Sequence, residues 1–524
     1  MAKKFNITGT CIPRLHFMGD ISGKLEKIRE MISAGDYFTI NRPRQYGKTT
    51  VMYHMEQQLK KDKGYLVLNI SFEDIDASIY KEHRLFIATI LDILNEQLEF
   101  IGEKELAALF KDKNTISNFN RLNSFFSALV KKSGRKVVLM IDEVDKAGNN
   151  QLFLDFLGML RKKYLMKVEE RGYTFFSVIL AGVHDVKTLK AKIRPQEKRM
   201  YNSPWNIAVD FEVDLSLFPG EIAAMLEEYA AARQAEIDIP FFAGKIFYLT
   251  SGYPFLVSYL CKIIDEEILP GKSKKTWEPA YLTRAVQKAL TKKSTNFESL
   301  IKNLENNPNL YEFIFKIIMN GREFSYNPHN AVIHLGTVYG ILKEEQRKTR
   351  VHNRVYEQLI YDYMSSNLET SNEIKLHHTS AAYIEKDGSI NIKNVLLKFQ
   401  EFMKEQYSIK DKDFLERNGR LLFLAFIKPI INGRGFDFKE VQISEEKRLD
   451  VVVTLGDKKY IVELKIWRGE AYHQAGIGQL CDYLDRQNAN RGYLLIYDLR
   501  KESGKQGEWE KIEQQGKEIF AAYV

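Results

Sequence analysis

Cysteine is scarce in this chain, and long apolar runs are absent. The 524 residues include only Cys11, Cys261 and Cys481, an odd number at wide spacing, which excludes a disulfide framework and a zinc cluster. The longest apolar run, Leu421 to Ile427, is too short to cross a bilayer, and the opening segment lacks the apolar core of a signal peptide. These absences predict a cytoplasmic protein without a membrane partner.

The remaining composition is that of a globular protein. Hydrophobic residues make up 44% of the chain and charged residues 28%, and the length predicts two to four domains. The net charge of +8 permits a polyanionic partner but does not require one.

The run from Asn41 to Thr50 has the residues of a phosphate-binding loop. Such a loop needs a tight turn at a helix N-terminus, a lysine for the outer phosphates and a hydroxyl for Mg²⁺, which Gly47, Lys48 and Thr49 supply. Arg42 stands where the usual pattern has its first glycine. The other residues predicted to contact the nucleotide are Arg44, Gln45, Tyr46 and Thr50.

A second motif supports this interpretation. The apolar run from Lys136 to Ile141 predicts a buried strand, and Asp142 and Glu143 follow it directly. The first acid would hold Mg²⁺ and the second would polarise the attacking water. An ordinary strand with a solvated acidic turn is the alternative, and the Gly47-Lys48-Thr49 sequence argues against it.

Strands alternate with helices through the first part of the chain. This alternation predicts an α/β fold, a parallel sheet with helices on both faces whose ligands bind at the carboxyl ends of the strands. The further predicted strands are 37–40, 64–72, 174–181 and 206–211.

Composition and periodicity divide the chain into five parts. Residues 296–368 are predicted to be a small helical module with short strands, the second covering Val332 to Leu342, a pattern that winged-helix folds share with many others. The parts are a P-loop ATPase core (1–215), a helical lid (216–295), the winged-helix-like module (296–368), a linker (369–394) and a C-terminal domain (395–524).

The sequence Arg42-Pro43-Arg44-Gln45-Tyr46-Gly47-Lys48-Thr49 resembles the P-loops of signal-transduction ATPases with numerous domains and related prokaryotic AAA-like ATPases. The resemblance makes Arg42 a family trait, and it implies that Gly252 and Pro254, in a Gly-x-Pro turn of the lid, lie beside the nucleotide. A plain helix-breaking turn is the alternative for that tripeptide. Self-association into a homo-oligomer is also implied.

Two further groups are candidates without a clear assignment. His184 or Asp185 follows a predicted strand and could sense the γ-phosphate, although either could equally cap a helix. Arg194 and Arg199 could act as an arginine finger or lie in a solvated basic loop.

A second constellation lies near the C-terminus. Asp450 and Glu463 fall on neighbouring predicted strands and could converge on one Mg²⁺ ion, and Lys465 lies on the same strand face as Glu463. A metal with a lysine can neutralise a phosphodiester and activate water. The next predicted helix runs from about Glu470 to Arg486. Gln479 and Tyr483, one turn apart, would lie on one face of it, where both could touch substrate near the metal.

The αβββαβ order of the predicted elements and the spacing of these residues are similar to the PD-(D/E)XK nuclease superfamily, so the resemblance implies a nuclease-like domain over residues 395–524. Gln479 and Tyr483 match the Gln-x-x-x-Tyr motif of its RecB-like members, and Leu449 replaces the usual proline. The resemblance implies an additional acid, for which Glu416 is the first candidate and Glu440 the second. A β-hairpin with surface acids and a lysine is the alternative.

Together these patterns predict a protein that binds and hydrolyses ATP and whose nucleotide state regulates a nuclease. The metal ion of the nuclease is predicted to be Mg²⁺, with Mn²⁺ as an alternative. The expected partner is nucleic acid, DNA before RNA, and the resemblance implies a role in mobile elements or phage defence. The leading alternative is a nucleotide-switched scaffold that binds DNA or protein through an inactive nuclease-like domain. An ATP-driven DNA translocase is a weaker alternative, because no helicase motif is present.

Overall fold

The computed structural model describes most of the chain. Its description leaves out residues 1, 74, 148–149, 184–204, 206, 272–274, 319–321, 371–382, 384, 386–388, 407–418, 420–421, 424–425, 428–436, 439–449, 456–457, 487–488 and 501–503.

The first part of the chain is built on a four-stranded parallel sheet in the order β3-β6-β5-β4. Side chains alternate along β5, so that Val138 and Met140 enter one apolar cluster while Leu139 and Ile141 enter another. Both faces are therefore covered, as expected for parallel strands with continuous apolar runs. The elements are β1 (Lys4–Phe5), β2 (His16–Phe17), α1 (Ser22–Ala34), β3 (Tyr37–Asn41), α2 (Lys48–Leu59), β4 (Tyr65–Ser71), α3 (His83–Phe100), α4 (Lys104–Ala107), α5 (Phe119–Ser133), β5 (Lys136–Asp142), α6 (Val144–Ala147), α7 (Gln151–Val168) and β6 (Ser177–Gly182).

These elements confirm the predicted α/β fold with its parallel sheet, and they correct one strand. The predicted strand 206–211 does not form in its described part, where Val209 makes only an isolated parallel bridge to Phe38. The reason is that the carbonyl groups of Phe211 and Val213 accept hydrogen bonds from the Arg42 side chain and not from a neighbouring strand.

A helical region follows and shares its core with the sheet. The apolar cluster that contains Phe38 and Met52 continues through Leu256 and Ile314 to Met364, so these helices pack on one face of the sheet. The elements are α8 (Pro219–Arg233), α9 (Ile239–Thr250), α10 (Pro254–Ile263), α11 (Pro279–Thr291), α12 (Thr295–Glu305), α13 (Pro308–Ile318), α14 (Ala331–Val338), the antiparallel pair β7 (Leu342–Glu345) and β8 (Lys348–Val351), and α15 (Arg354–Thr370).

The strand predicted from Val332 to Leu342 is wrong. Residues 331–338 form helix α14, because the Asn330 side chain accepts hydrogen bonds from the amides of Val332 and Ile333 and caps the helix. The apolar and β-branched composition indicates a strand, but the cap determines the structure.

The C-terminal part contains a six-stranded mixed sheet in the order β13-β14-β12-β11-β10-β9. Strands β11, β12 and β14 are parallel, and the other neighbours are antiparallel. The elements are α16 (Ile392–Gln406), β9 (Asp437–Phe438), β10 (Asp450–Leu455), β11 (Lys458–Ile466), α17 (Glu470–Arg486), β12 (Arg491–Tyr497), β13 (Trp509–Gln514) and β14 (Lys517–Tyr523).

Helices cover both faces of this sheet. Val462 and Leu464 of β11 join the cluster of Phe399 in α16, whereas Ile461 joins the cluster of Leu480 in α17. Glu463 and Lys465 have the same parity as Ile461 and therefore face α17. Strand β13 was not predicted, because none of its residues is buried and an edge strand of this kind has no apolar signal.

Candidate active sites

The loop between β3 and α2 has the backbone of a phosphate cradle. Gln45 and Gly47 adopt left-handed conformations, with φ of 55° and 87°, and helix α2 begins directly at Lys48. Unpaired amides at a helix N-terminus attract anions, and this geometry directs those of α2 toward the carboxyl end of the sheet.

Lys48 is held in place by backbone carbonyl groups. Its side chain is buried, and its Nζ donates to the carbonyl oxygens of Arg42 and Pro43, each at 3.0 Å. Burial lowers the pKa of Lys48, and the neighbouring carboxylates, Glu143 first, oppose that shift. A bound phosphate would add further negative charge beside this buried ammonium group.

Thr49 and Asp142 come together as the two motifs predict. The Thr49 hydroxyl donates to Asp142 Oδ2 at 3.0 Å. This pair fits Mg²⁺, which takes few protein ligands and completes its shell with water and phosphate oxygens. The next residue, Glu143, has φ of 55°, and its amide donates to Asp142 Oδ1 at 2.8 Å. Burial, and then the charge of Asp142, raises the pKa of Glu143.

A third carboxylate, Asp145, was not among the predicted site residues. It accepts a hydrogen bond from the amide of Val183 at the end of β6 and contributes to the field at Lys48. Asp145 thereby ties the turn after β5 to the neighbouring strand. The sequence Asp142-Glu143-Val144-Asp145 places it two residues after Glu143, which was the available signal.

Arg42 explains how the loop forms without its first glycine. Its guanidinium donates to the carbonyl oxygens of Val213 at 2.8 Å and Phe211 at 3.4 Å, and lies 5.3 Å from the Phe211 ring centre. The side chain therefore lies against the segment that leads to α8. Its φ is not positive, so this position has no conformational need for glycine.

Tyr46 connects the loop to two distant parts of the chain. Its buried hydroxyl lies 2.7 Å from Ser216 Oγ, before α8, and 3.1 Å from His352 Nε2, after β8. Burial lowers the pKa of His352 to about 4, so this histidine is neutral near neutral pH. A second link joins the Tyr253 hydroxyl to the Arg44 carbonyl at 2.6 Å.

The Gly252-Tyr253-Pro254 turn lies directly against the loop. Gly252 has φ of +71°, and a Cβ there would lie 2.3 Å from the carbonyl oxygen of Leu217, so only glycine fits. Pro254 Cγ lies 3.9 Å from the position that a Cβ of Gly47 would occupy. The turn thus contacts both the loop and the segment before α8.

A cavity of about 120 Å³ opens beside Gly47. Thr50 also lines it, and the Thr50 hydroxyl accepts a hydrogen bond from the Cys11 amide at 3.0 Å. Its apolar walls include Ile7, Met225, Leu217 and Phe255.

The other predicted residues of this site are placed differently. The Arg44 side chain is exposed, and Gln45 Nε2 donates to Thr295 Oγ1 at 3.4 Å. His184, Asp185, Arg194 and Arg199 lie outside the described residues.

In the C-terminal sheet, Asp450 and Glu463 are directly opposite each other in the antiparallel pair of β10 and β11. Only the backbone of Asp450 is described. Glu463 is buried, and its Oε1 lies 2.9 Å from Lys465 Nζ, which also donates to Gln479 Oε1 at 3.1 Å. The structure therefore brings Glu463, Lys465 and Gln479 together.

Helix α17 shapes the space around Lys465. A Cβ at Gly476 would lie 3.0 Å from Lys465 Cε, so the glycine leaves room for the lysine, and the Tyr472 ring centre lies 5.3 Å from Lys465 Nζ. Tyr483 is buried in the apolar cluster between α17 and the sheet.

The acids predicted to complete this site, Glu416 and Glu440, lie outside the described residues. Within the described part of the chain, no group of three or more His, Cys, Asp or Glu side chains is placed to hold a metal ion. In that same part, no helix is both long and apolar enough to span a bilayer.

The parallel sheet, the loop with its buried lysine and the Thr49–Asp142 contact define a P-loop ATPase. The sequence profile of the AAA-like domain matches residues 22–362, and the chain belongs to that family. The profile ends before the C-terminal sheet. None of the curated proteins matches the chain.

Several solved structures are similar to part of the chain. A Walker-type ATPase of Pyrococcus abyssi is 12% identical, covering 68% of this chain and 99% of its own, with a TM-score of 0.45. The ORC2 protein of Aeropyrum pernix, in complexes with ADPNP and ADP, is 13% identical, with coverages of 69% and 97% and a TM-score of 0.36. The Holliday junction branch migration motor RuvB of Thermotoga maritima is 15% identical, with coverages of 66% and 95% and a TM-score of 0.34.

Proposed function

We propose that the protein binds and hydrolyses ATP at the β3–α2 loop and that its nucleotide state regulates a nuclease in the C-terminal sheet. The contact between Thr49 and Asp142 carries the first claim, because it joins the two halves of a Mg-nucleotide site across the sheet. The second claim rests on Glu463, which lies opposite Asp450 in the strand pair, and on Lys465, whose Nζ lies beside Glu463.

In the ATPase site, Lys48 would contact the outer phosphates and the amides of α2 would hold their oxygens. Arg44, Gln45, Tyr46 and Thr50 complete this loop. Thr49 and Asp142 would hold Mg²⁺, which offsets phosphate charge when bound. Glu143, in its ionised form, would accept a proton from the attacking water. The base of the nucleotide would lie at the cavity between Gly47 and Phe255, whose apolar walls suit it.

Nucleotide state is coupled outward through the contacts of the loop. A phosphate that moves the loop also moves the partners of Tyr46, namely Ser216 at the start of the lid and His352 in the winged-helix-like module. Gly252 and Pro254 supply a second contact with the lid. Coupling requires that these contacts differ in energy between nucleotide states.

In the C-terminal site, Asp450 and Glu463 would hold Mg²⁺ or Mn²⁺, which polarises a phosphodiester when bound. Lys465, held by Gln479, would orient the attacking water. Tyr483 supports the helix that carries Gln479, and Glu416 is the proposed additional acid. The proposed substrate is DNA. The proposed assembly is a cytoplasmic homo-oligomer, and its proposed role is in mobile elements or phage defence.

The ATPase claim is tested by turnover of full-length protein. Lys48→Ala should reduce turnover at least about a hundredfold, because it removes a charge that contacts the transferred phosphate. Lys27→Ala, at an exposed lysine of α1, is the matched control and should keep wild-type turnover. Equal turnover in both variants would reject the proposed site.

The nuclease claim is tested by incubating plasmid and single-stranded DNA with Mg²⁺ or Mn²⁺, with and without ATP. Lys465→Ala should abolish cutting, and Lys511→Ala, at an exposed lysine of β13, should not. Equal cutting by Lys48→Ala and wild type would separate the two sites. DNA left intact by wild type and Lys465→Ala alike would favour the scaffold alternative, in which the domain only binds.

A further inference from the structure

A second open cleft lies at the opposite edge of the parallel sheet. Its volume is about 510 Å³, and it is lined by Gly64 before β4, Lys136 at the start of β5 and Phe176 before β6. Because the strands are parallel, this edge lies roughly 20 Å from the P-loop edge, the length of a strand of this size. The cleft therefore belongs to neither site described above.

Positive charge is concentrated around one aromatic ring in this cleft. Lys136 Nζ lies 4.6 Å and Lys167 Nζ 4.8 Å from the centre of the Phe176 ring. Lys131 flanks the cleft, with its Nζ 5.6 Å from the ring centre of Tyr173, which also lines it. Aromatic rings attract ammonium groups only weakly at exposed sites, and they leave the charge unneutralised.

Carboxylates do little to balance this charge. None of the residues that line the cleft is acidic, and among the described residues Lys131, Lys136 and Lys167 have no carboxylate within salt-bridge distance. Arg135, the other cation of the lining, is paired with Glu103 at 2.8 Å. The charge of Asp36 acts to raise the pKa of Lys167, but burial lowers it by more, so the pKa of Lys167 lies below its ordinary value.

Backbone groups hold one of these cations in place. Lys167 Nζ donates to the carbonyl oxygens of Gly35, at 3.0 Å, and Phe176. These bonds fix the ammonium group at the cleft wall while Lys136 remains exposed. Gly134 and Gly172 also line the cleft, and without side chains they leave its mouth open.

We propose that this cleft binds phosphate groups, either those of a nucleic-acid backbone or those of a free polyphosphate. The two ammonium groups near this ring repel each other, and a phosphate bound in the cleft would offset that repulsion and accept a hydrogen bond from the exposed Lys136. The site does not depend on the proposed ATPase or nuclease activity.

Binding is measured on full-length protein carrying Lys48→Ala, which disables the P-loop, in EDTA, which prevents metal-dependent cutting. The probes are inorganic pyrophosphate and a labelled single-stranded oligonucleotide. Lys136→Gln should weaken binding of at least one probe roughly fivefold, the effect of one partly exposed charged contact. Lys136→Gln together with Lys131→Gln should weaken it further, and Lys136→Arg should restore it, since arginine keeps the charge and stacks on rings.

Lys27→Gln is the matched control, because it removes the same charge from an exposed site outside the cleft. For the oligonucleotide, Lys136→Gln should also reduce the slope of log affinity against log salt by about 0.7, whereas Lys27→Gln should not. A loss for the oligonucleotide identifies a nucleic-acid backbone as the source, and a loss for pyrophosphate alone identifies a free polyphosphate. If neither probe is weakened more by Lys136→Gln than by Lys27→Gln, the proposal is overturned. Thermal melting of each variant shows that it is folded.

Discussion

The two candidate active sites differ in how far apart along the chain their contacting residues lie. Tyr46 of the P-loop is hydrogen-bonded to His352, 306 residues later, whereas Lys465 is bonded to Gln479, 14 residues later. The first site therefore depends on the packing of the whole AAA-like region, and the second on one strand and the next helix. The first should be sensitive to substitutions far from its motifs, and the second only to substitutions nearby.

The largest expected effect lies in the ATPase site itself. Glu143→Gln should lower kcat for ATP about a thousandfold and leave nucleotide binding intact, because it removes a general base without changing shape. Turnover should also fall as the pH drops through the pKa of Glu143, which burial raises, since only the carboxylate accepts a proton. Glu73→Gln, at an exposed nearby acid, is the control. Wild-type turnover in Glu143→Gln would remove the residue from the mechanism.

The next largest effect is expected from a substitution far along the chain from the P-loop. Gly252→Ala should destabilise the protein by about 3 kcal/mol and weaken ATP binding, because it combines backbone strain with a clash against Leu217. Gly220→Ala, where the added Cβ meets nothing within 4 Å, should stay within about 0.5 kcal/mol of wild type. Denaturant unfolding and nucleotide titration measure both effects. Unchanged ATP affinity in a folded Gly252→Ala protein would contradict the long-range dependence.

Low pH should destabilise the same region, because His352 becomes protonated. The folded-state pKa is about 4 and the ordinary value is 6.5, so the unfolded chain binds the proton more readily. The stabilisation is complete above pH 6.5 and is lost as the pH falls toward 4, at a cost of up to about 3 kcal/mol. His352→Gln should flatten this part of the stability profile, and His329→Gln, at an exposed histidine, should not. Identical profiles for His352→Gln and wild type would refute the assignment.

A smaller effect is expected where the chain departs from the usual P-loop. Arg42→Gly restores the common glycine but removes the hydrogen bonds to Val213 and Phe211, so it should lower stability by about 2 kcal/mol. ATP binding should persist, because the Arg42 side chain points away from the cradle. Arg42→Lys should fall between wild type and Arg42→Gly in denaturant unfolding. Equal stability of all three proteins would show that the contact is unimportant.

The smallest effect tests the local character of the second site. Gly476→Ala should displace Lys465 and reduce DNA cutting about tenfold, which corresponds to about 1.4 kcal/mol. Gly478→Ala, whose Cβ meets nothing within 4 Å, should cut like wild type, and both should gain slightly in helix stability. Equal cutting by the two variants would show that the position of Lys465 is not critical.

The sequence predicts the elements whose structure a few adjacent residues determine. The strand before Gly47 and the strand that ends at Asp142 form as expected because each is a short run buried on both faces. The helix after Glu463 and Lys465 also forms over its predicted length.

The sequence does not reveal contacts between residues that only the fold brings close. Nothing near Tyr46 in the sequence points to Ser216 or His352, and the role of Arg42 depends on carbonyl groups more than 160 residues away. Helix α14 was missed for a local reason, the Asn330 cap, and β13 because a polar edge strand leaves no periodic signal.

The hydrogen bond between Tyr46 and His352 also has a consequence for synthesis of the protein. A ribosome that has made only the parallel sheet has produced every residue of the phosphate cradle but not the histidine that packs behind it. The nascent cradle thus stays without one of its supports until β8 has emerged. Chains released early would carry the ATPase motifs in a loop that is not yet held in its final shape.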